Sequence, residues 1–232
     1  MIYQKTTDMV QIKKCTFEHM TKSYPCKEKS VLDGCMIMRQ SIKPEDVQSP
    51  FQIEAYALLF CISGEVNIIS DLRSYTVTPG TLFVYLPNNI IKIDCKKESI
   101  ISEVILASDY LRKNFLQWNK ISPLFIQTTN NPVITIPTNR RDELIRMLGN
   151  IQERIRTATC SEWNRKAYHA ALKTFLYDII SLANNPEFLE ITNIHQSRNQ
   201  DYFARFMQLV SQKERFIFMH RNYVFLLNIY QL

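Results

Sequence analysis

Residues 58–86 read LLFCISGEVNIISDLRSYTVTPGTLFVYL, and this stretch decides the fold. Short apolar runs alternate in it with turn residues, which lie at positions 63–65, 71–74 and 78–80. This spacing is typical of an antiparallel β sandwich or barrel, because a βαβ unit would need a helix between its strands. Gly64 and Gly80 are two of only four glycines in the chain, so we expect them to supply positive φ angles at the turns.

The same pattern extends on both sides of this stretch, from Cys35 to Leu106. The predicted strands cover residues 56–62, 66–69, 75–77, 81–86, 90–93 and 100–106, and one more is predicted at 132–136. We therefore expect a β barrel within residues 1–136. The residues that face its interior stay unassigned, because a slip of one residue exchanges the inside of a strand for its outside.

Two amphipathic helices are predicted after the barrel. Thr138 is the expected N-cap of the first, in which Leu144, Leu148, Ile151 and Ile155 recur at helical spacing. Ser161 is the expected cap of the second, and the short connection predicts an antiparallel hairpin over residues 137–186. The second helix carries an apolar stripe that includes Leu172, Phe175, Leu176 and Ile179. The stripe either packs on the barrel or forms a face between two chains, and we assign homodimerisation to these four residues as a hypothesis.

The chain continues with a polar linker, residues 187–200, and a final segment, residues 201–232. Phe203, Phe206, Met207 and Val210 lie on one side of a predicted helix at the start of that segment. From Arg215 onward the apolar residues fit neither a helix nor a strand. The predicted fold class is therefore α+β: an N-terminal β barrel, a helix hairpin and a short C-terminal helical remnant.

The predicted barrel lacks the residues of a metal enzyme. The four histidines are His19, His169, His195 and His220, and none lies between residues 35 and 106. A metal site in a small barrel usually needs two or more inward imidazoles and a carboxylate. The nucleophile elbow and the phosphate-binding glycine loops are also missing. We expect no catalytic residue, no metal ligand and no cofactor, and we interpret His169 as a surface or interface residue.

Two further groups of residues have alternative interpretations. Glu65 and Asp71 form a possible carboxylate pair, but both lie at predicted turns, which favours exposure to solvent. Tyr75, Phe83 and Tyr85 alternate along strands, which favours packing in the core over stacking on a ligand.

Composition points to an ordinary globular chain in a reducing compartment. The formal net charge is +6, which permits a nucleic-acid partner without requiring one. Six cysteines occur without any CxxC pair, and Cys61 is interpreted as a small buried hydrophobe. The first residues lack the apolar core of a signal peptide, and no stretch approaches the ~18 apolar residues of a membrane span. We expect a cytoplasmic protein that has no membrane partner.

The order of barrel, helix hairpin, linker and aromatic-rich helix resembles the AraC family of bacterial transcription regulators. Residues 58–86 look like the cupin-type sensor domain of that family, with Ser63-Gly64-Glu65 after an apolar strand and Thr78-Pro79-Gly80 before Phe83. Residues 202–210, YFARFMQLV, are similar to the helix that opens its DNA-binding domain. The resemblance implies an effector-sensing and dimerising region, with a homodimer and a small-molecule effector as partners. The alternatives are a stand-alone small-molecule-binding cupin protein and a metal-free cupin enzyme.

Intact members of that family carry two helix-turn-helix units that place recognition helices in the major groove. Residues 201–232 are too few to contain them, so we expect weak or absent sequence-specific DNA binding by this polypeptide. A frameshift near residues 213–216 is one hypothesis for this truncation. The codons of Met219 and His220, read two bases later, give alanine, and those of Asn222 and Tyr223 give leucine. Both residues suit a first helix-turn-helix.

Overall fold

A computed structural model describes residues 12–23, 26, 28–46, 49–114, 128, 131–183 and 185. The chain divides into two units, Met1–Ile191 and Thr192–Leu232, and every described residue belongs to the first. The predicted linker at 187–200, the helix at 202–210 and the helix-turn-helix remnant at 201–232 lie outside the described residues.

The β region consists of two sheets. The first contains, in spatial order, β1 (Lys13–Cys15), β4 (Phe51–Ile53), β9 (Ile90–Asp94), β6 (Val66–Ser70) and β7 (Arg73–Val77). The second contains β11 (Val133–Thr135), β8 (Thr81–Tyr85), β5 (Tyr56–Ser63), β10 (Ser99–Leu106), β3 (Cys35–Ile42) and β2 (Glu28–Leu32). Neighbouring described strands are antiparallel, apart from the parallel pair β1 and β4. The predicted strands from residue 56 onward are confirmed. β3 lies in the β region predicted from Cys35 but was not given as a strand, and β1, β2 and β4 were not predicted.

Each sheet has the residue pattern that its surroundings require. In the five-stranded sheet, β6 alternates buried and half-buried residues, because one face of this sheet packs inside and the other faces solvent. In the six-stranded sheet, all five residues of β8 are buried, and so are six consecutive residues of β10. Both faces of this sheet are covered: one by the other sheet, the opposite one by helices. The uninterrupted apolar runs of the sequence therefore belong to the strands at the centre of the molecule.

Four described helices accompany the sheets: α1 (Phe17–Ser23), α2 (Ser108–Asn114), α3 (Thr138–Thr157) and α4 (Glu162–Ala183). Arg140 in the first turn of α3 pairs with Asp178 near the end of α4 at 2.9 Å. The side-chain amide of Asn164, near the start of α4, donates to the Thr157 carbonyl at 3.1 Å. These contacts at opposite ends confirm the antiparallel hairpin.

The caps of the hairpin follow the prediction at one helix only. The Ser161 hydroxyl oxygen accepts a hydrogen bond from the Asn164 backbone N–H at 3.1 Å, so Ser161 is the N-cap of α4 as predicted. The prediction of Thr138 as the N-cap of α3 is wrong. Pro137 occupies that position and Thr138 is the first helical residue, because the extended φ and ψ of Pro137 (−55° and 141°) place the start of the helix one residue earlier.

The apolar stripe of α4 packs inside the chain. Leu172, Phe175, Leu176 and Ile179 are at most 2% exposed and belong to one core with residues of the six-stranded sheet. The Phe175 ring lies 5.9 Å from that of Phe60 on β5. In this chain the four side chains hold α4 on the sheet, and their assignment to homodimerisation stays a prediction.

The predicted turn glycines have the expected backbone. The φ angles are 85° at Gly64 and 104° at Gly80. A side chain at Gly64 would also clash with Ser99 on β10, so this glycine is required by close approach as well as by conformation. Of the helices that the structure describes, none is long and apolar enough to cross a membrane.

Candidate functional site

Among the described residues, Glu103 carries the one buried carboxylate, and it lies between the two sheets. Its strand neighbours Ile101 and Ile105 belong to the core between the sheets, whereas Val104 and Leu106 belong to the core beneath the helices. Because successive side chains of a strand point to opposite faces, Glu103 points between the sheets. Register places Met38 of β3 and Leu59 of β5 directly beside it.

Burial controls the chemistry of this carboxyl group. Glu103 is only 4% exposed, and its Oε2 atom has no hydrogen-bond partner among the described residues. Burial raises the pKa of Glu103 to about 8, because the apolar surroundings penalise the charged form. At neutral pH the group is therefore mainly a neutral carboxylic acid, which can both donate and accept a hydrogen bond.

The aromatic side chains of Tyr75, Phe83 and Tyr85 also line the interior. Phe83 and Tyr85 on β8 are fully buried, and their ring centroids lie 4.9 Å apart. The ring of Tyr75 on β7 packs edge-to-face with that of Phe83, with the ring centroids 5.3 Å apart, and so connects the two sheets. The expectation of core packing is confirmed for Phe83 and Tyr85. Since the cluster faces the same interior as Glu103, a role in stacking on a ligand remains open as well.

A second polar cluster joins the barrel to the hairpin. His169 of α4 lies between Asp33, in the turn after β2, and Tyr110 of α2. Its Nε2 is 3.3 Å from the Asp33 carboxylate, and its Nδ1 is 2.9 Å from the Tyr110 hydroxyl. Because a carboxylate only accepts, Nε2 carries the hydrogen, and Nδ1 of the neutral ring accepts from Tyr110. Burial lowers the pKa of His169, and the Asp33 carboxylate opposes that effect.

This junction is rigid on the barrel side. Asp33 and Gly34 have positive φ angles of 49° and 88°, and the Gly34 carbonyl accepts from the Ala107 N–H at 2.8 Å. An added Cβ at Gly34 would lie 2.8 Å from the Cβ of Tyr110, so α2 rests directly on the turn. Arg165 of α4 adds an ion pair to Asp33 at 3.2 Å. His169 is thus a partly buried contact between α4, α2 and the turn after β2.

The outer side of the hairpin carries a groove of about 350 Å³. It is lined by Glu143, Arg146, Met147, Asn150, Ile151 and Arg154 of α3 and by Ala171 and Thr174 of α4. The groove has an apolar floor with charged residues at both ends, and it lies on the hairpin rather than in the barrel.

The remaining sequence-predicted groups do not form a site. Glu65 and Asp71 are exposed, as predicted. Cys61 is buried, and burial raises the pKa of its thiol to about 11, in agreement with its interpretation as a small hydrophobe. In the described part of the chain, His, Cys, Asp and Glu side chains form no group of three that could hold a metal ion.

Sequence reasoning missed Glu103, although its strand was predicted. Glu103 is the only charged residue of the apolar segment SIISEVIL, residues 99–106. A lone carboxylate in a run that reads as buried on both faces is a detectable pattern, because such a group is costly unless it is neutral or paired. Its orientation still required the register of β10.

Solved structures similar to this chain contain the cupin fold. The EutQ protein of Clostridium difficile is 17% identical, and the match covers 32% of this chain and 58% of that one, with a TM-score of 0.28. A cupin superfamily protein of Desulfitobacterium hafniense is 18% identical over 34% of this chain and 72% of that one, with a TM-score of 0.33. A cupin-2 domain protein of Shewanella frigidimarina is 10% identical over 38% and 87%, with a TM-score of 0.31.

These likenesses concern the fold alone. The chain spans less than two thirds of the EutQ protein. No protein-family model matches this chain, and no curated protein is significantly similar to it. The strand order of the two sheets and the hairpin that follows them make the chain α+β with a cupin-like barrel, as predicted.

Proposed function

We propose that this chain is the effector-sensing and dimerising region of an AraC-type transcription regulator, that it is not itself an enzyme, and that it forms a homodimer. The cupin-like barrel would bind the small-molecule effector, and the hairpin would join two chains. Effector binding would then change the presentation of a DNA-binding domain by shifting the population of two states.

The observation that carries this proposal is that apolar residues lie on two sides of the hairpin. The inner stripe of α3 and α4 is buried on the six-stranded sheet. The groove on the outer side nevertheless exposes part of Met147 and Ala171, which are only partly buried against that core. A helix pair that served only to cover the sheet would need no second apolar face.

A second copy of the chain is the occupant that suits the charges of this groove. Glu143, Met147, Asn150 and Arg154 follow one another at intervals of four, three and four residues, the spacing of a coiled-coil seam. Glu143 lies about 16 Å from Arg154 along the helix, from ~1.5 Å per residue, and Arg146 lines the groove one turn from Glu143. Two antiparallel copies of α3 would therefore place each Glu143 opposite the partner's Arg154, and Met147 opposite the partner's Asn150.

A reporter experiment tests the proposal. The chain is fused to a DNA-binding domain that represses its operator only as a dimer. We expect the fusion to repress, and the Arg154→Glu fusion to repress much less at equal protein level. A fusion that stays inactive, together with a monomeric chain in sedimentation equilibrium at micromolar concentration, would show that this region does not dimerise.

The rival function is a metal-free cupin enzyme, and Glu103 is the observation that favours it. A buried carboxyl with a pKa near 8 is the kind of group that acts as a general acid or base. The two functions differ in what happens to a ligand of the barrel. A ligand that the chain converts, with the activity lost in a Glu103→Gln variant, would support the enzyme, whereas a ligand that the chain binds and leaves unchanged would support the regulator.

The weak or absent DNA binding expected of this polypeptide stays a prediction. A nanomolar, sequence-selective gel shift by the polypeptide at physiological salt would contradict it.

A further inference from the structure

Burial of the Glu103 carboxyl group destabilises the fold. Leu59 and Met38 flank it across the sheet, Ile101 and Ile105 flank it along the strand, and all four are at most 3% exposed. Burial of a polar group costs free energy unless it is hydrogen-bonded, and Oε2 lacks a partner among the described residues. An apolar side chain of similar volume would fit the same place without that cost. Packing alone therefore does not account for a carboxyl group at this position.

We propose that the interior of the barrel binds a small, mostly aromatic molecule that carries one neutral hydrogen-bonding oxygen, and that Glu103 recognises this oxygen. The inference rests on the proposed sensing function, since it names the class of effector. Glu103 would supply the polar contact, and the apolar walls would supply most of the contact area.

The polar group of the ligand is neutral because of the surroundings of Glu103. A cationic ligand would have to form an ion pair in an interior lined by aliphatic and aromatic side chains, and desolvation of two charges offsets much of their attraction. A hydroxyl or carbonyl oxygen avoids this penalty, because the neutral acid can donate its O–H to that oxygen. Burial also keeps the acid protonated at neutral pH.

The aromatic preference follows from the Tyr75, Phe83 and Tyr85 cluster, which faces the same interior. Aromatic rings pack on such a cluster edge-on or offset, with gains beyond the area they bury. Met36 and Met38 lie on the same inner face. Their unbranched side chains change rotamer easily and so can make room for a ring beside Glu103.

The test uses the full chain and three probes of nearly equal size: toluene, benzyl alcohol and benzylammonium. Binding is followed through the methyl signals of methionine, labelled with ¹³C. Met38 lies beside Glu103 in register and reports on the interior, whereas Met147 lines the outer groove and serves as the control. We expect benzyl alcohol to shift the Met38 signal and to bind about five-fold more tightly than toluene, the value of one neutral hydrogen bond. Benzylammonium should bind more weakly than both.

Two variants separate recognition from packing. Glu103→Gln keeps a neutral donor and acceptor and should retain the preference for benzyl alcohol. Glu103→Leu keeps the volume without the polar atoms and should bind toluene and benzyl alcohol equally. The proposal is overturned if benzylammonium binds most tightly, if the leucine variant keeps the preference for the alcohol, or if no probe shifts the Met38 signal.

Failure of this proposal differs from failure of the proposed function. Sedimentation of the same samples reports dimer formation, which involves the outer groove and not the barrel interior. A dimer that does not distinguish the three probes refutes the ligand class alone. A monomer that still distinguishes them refutes the dimerising role and leaves the recognition by Glu103 intact.

Discussion

Arg154→Glu is the substitution that most directly tests the hairpin groove. Arg154 lies at one end of the groove and Glu143 at the other, and both belong to α3. In the antiparallel dimer that we propose, each Arg154 faces the partner's Glu143, so the substitution places two carboxylates opposite each other. Twofold symmetry makes this happen twice in each dimer.

The expected loss of dimer affinity follows from the solvent exposure of the charged side chains. Glu143 is 44% exposed and already pairs with Arg140 at 3.1 Å, so the contact across the dimer is a surface ion pair. Loss of one such attraction costs about 0.5 kcal/mol, and the new repulsion costs about as much again. Two symmetric contacts give a total of about 2 kcal/mol, which corresponds to a dissociation constant raised about 30-fold.

Sedimentation equilibrium at low salt measures this change. Arg156→Glu is the matched control, because it alters the charge of the same helix equally but lies outside the groove, in an exposed pair with Glu153. The double variant Glu143→Arg with Arg154→Glu restores opposite charges and should recover most of the affinity. Equal weakening by the Arg156 control, or no recovery in the double variant, would refute the proposed arrangement of α3. The difference should also shrink at ~1 M salt, where charges are screened beyond about 3 Å.

Three further predictions concern stability, each measured by urea denaturation. Phe175→Ala should lower the free energy of unfolding by about 3–5 kcal/mol, because Phe175 is fully buried. The control Tyr177→Ala, at a residue that is 52% exposed, should lower it by less than ~1 kcal/mol. Equal losses in the two variants would contradict the packing of α4. Folding retains the proton of Glu103 that the unfolded chain releases, so wild-type stability should fall between pH 4.5 and about 8, by roughly 5 kcal/mol in total. The Glu103→Gln variant should lack this fall, and identical pH profiles for the two proteins would contradict the burial of a neutral carboxyl group. Gly64→Ala should destabilise the protein, because φ is 85° and the new Cβ would clash with β10. Gly149→Ala, in the open middle of α3, should instead stabilise the protein by about 0.5–1 kcal/mol. A Gly64→Ala variant of unchanged stability would contradict the geometry of this turn.

The barrel and the hairpin could be predicted because their patterns are local. The glycine turns separate strands that are confirmed from β5 onward, and the spacing of Leu144, Leu148, Ile151 and Ile155 follows one face of α3. Strand β3 lies in the predicted β region but was not separated from it as a strand, since its apolar residues are consecutive rather than alternating. Strands β1 and β4 escaped prediction because they have three residues each, and β2 because it is only partly buried. Segments this short contain too little alternation to identify a strand.

The candidate site was harder to predict than the fold, because its residues are distant in sequence. His169, Asp33 and Tyr110 are ordinary polar residues until α2 and α4 fold onto the turn after β2. Glu103 is an ordinary carboxylate until β10 lies between β3 and β5 in a fixed register.

The sequence by itself determined the α+β class, the β barrel and the antiparallel hairpin, since hydrophobic period and turn residues act over a few neighbouring positions. Only the tertiary structure decided which side of each helix or strand packs in the core and which stays outside it. It buried Leu172, Phe175, Leu176 and Ile179 on the barrel and left Met147 in an outer groove. It also turned Glu103 inward, because the face to which a strand residue points depends on pairing with strands far away in the chain.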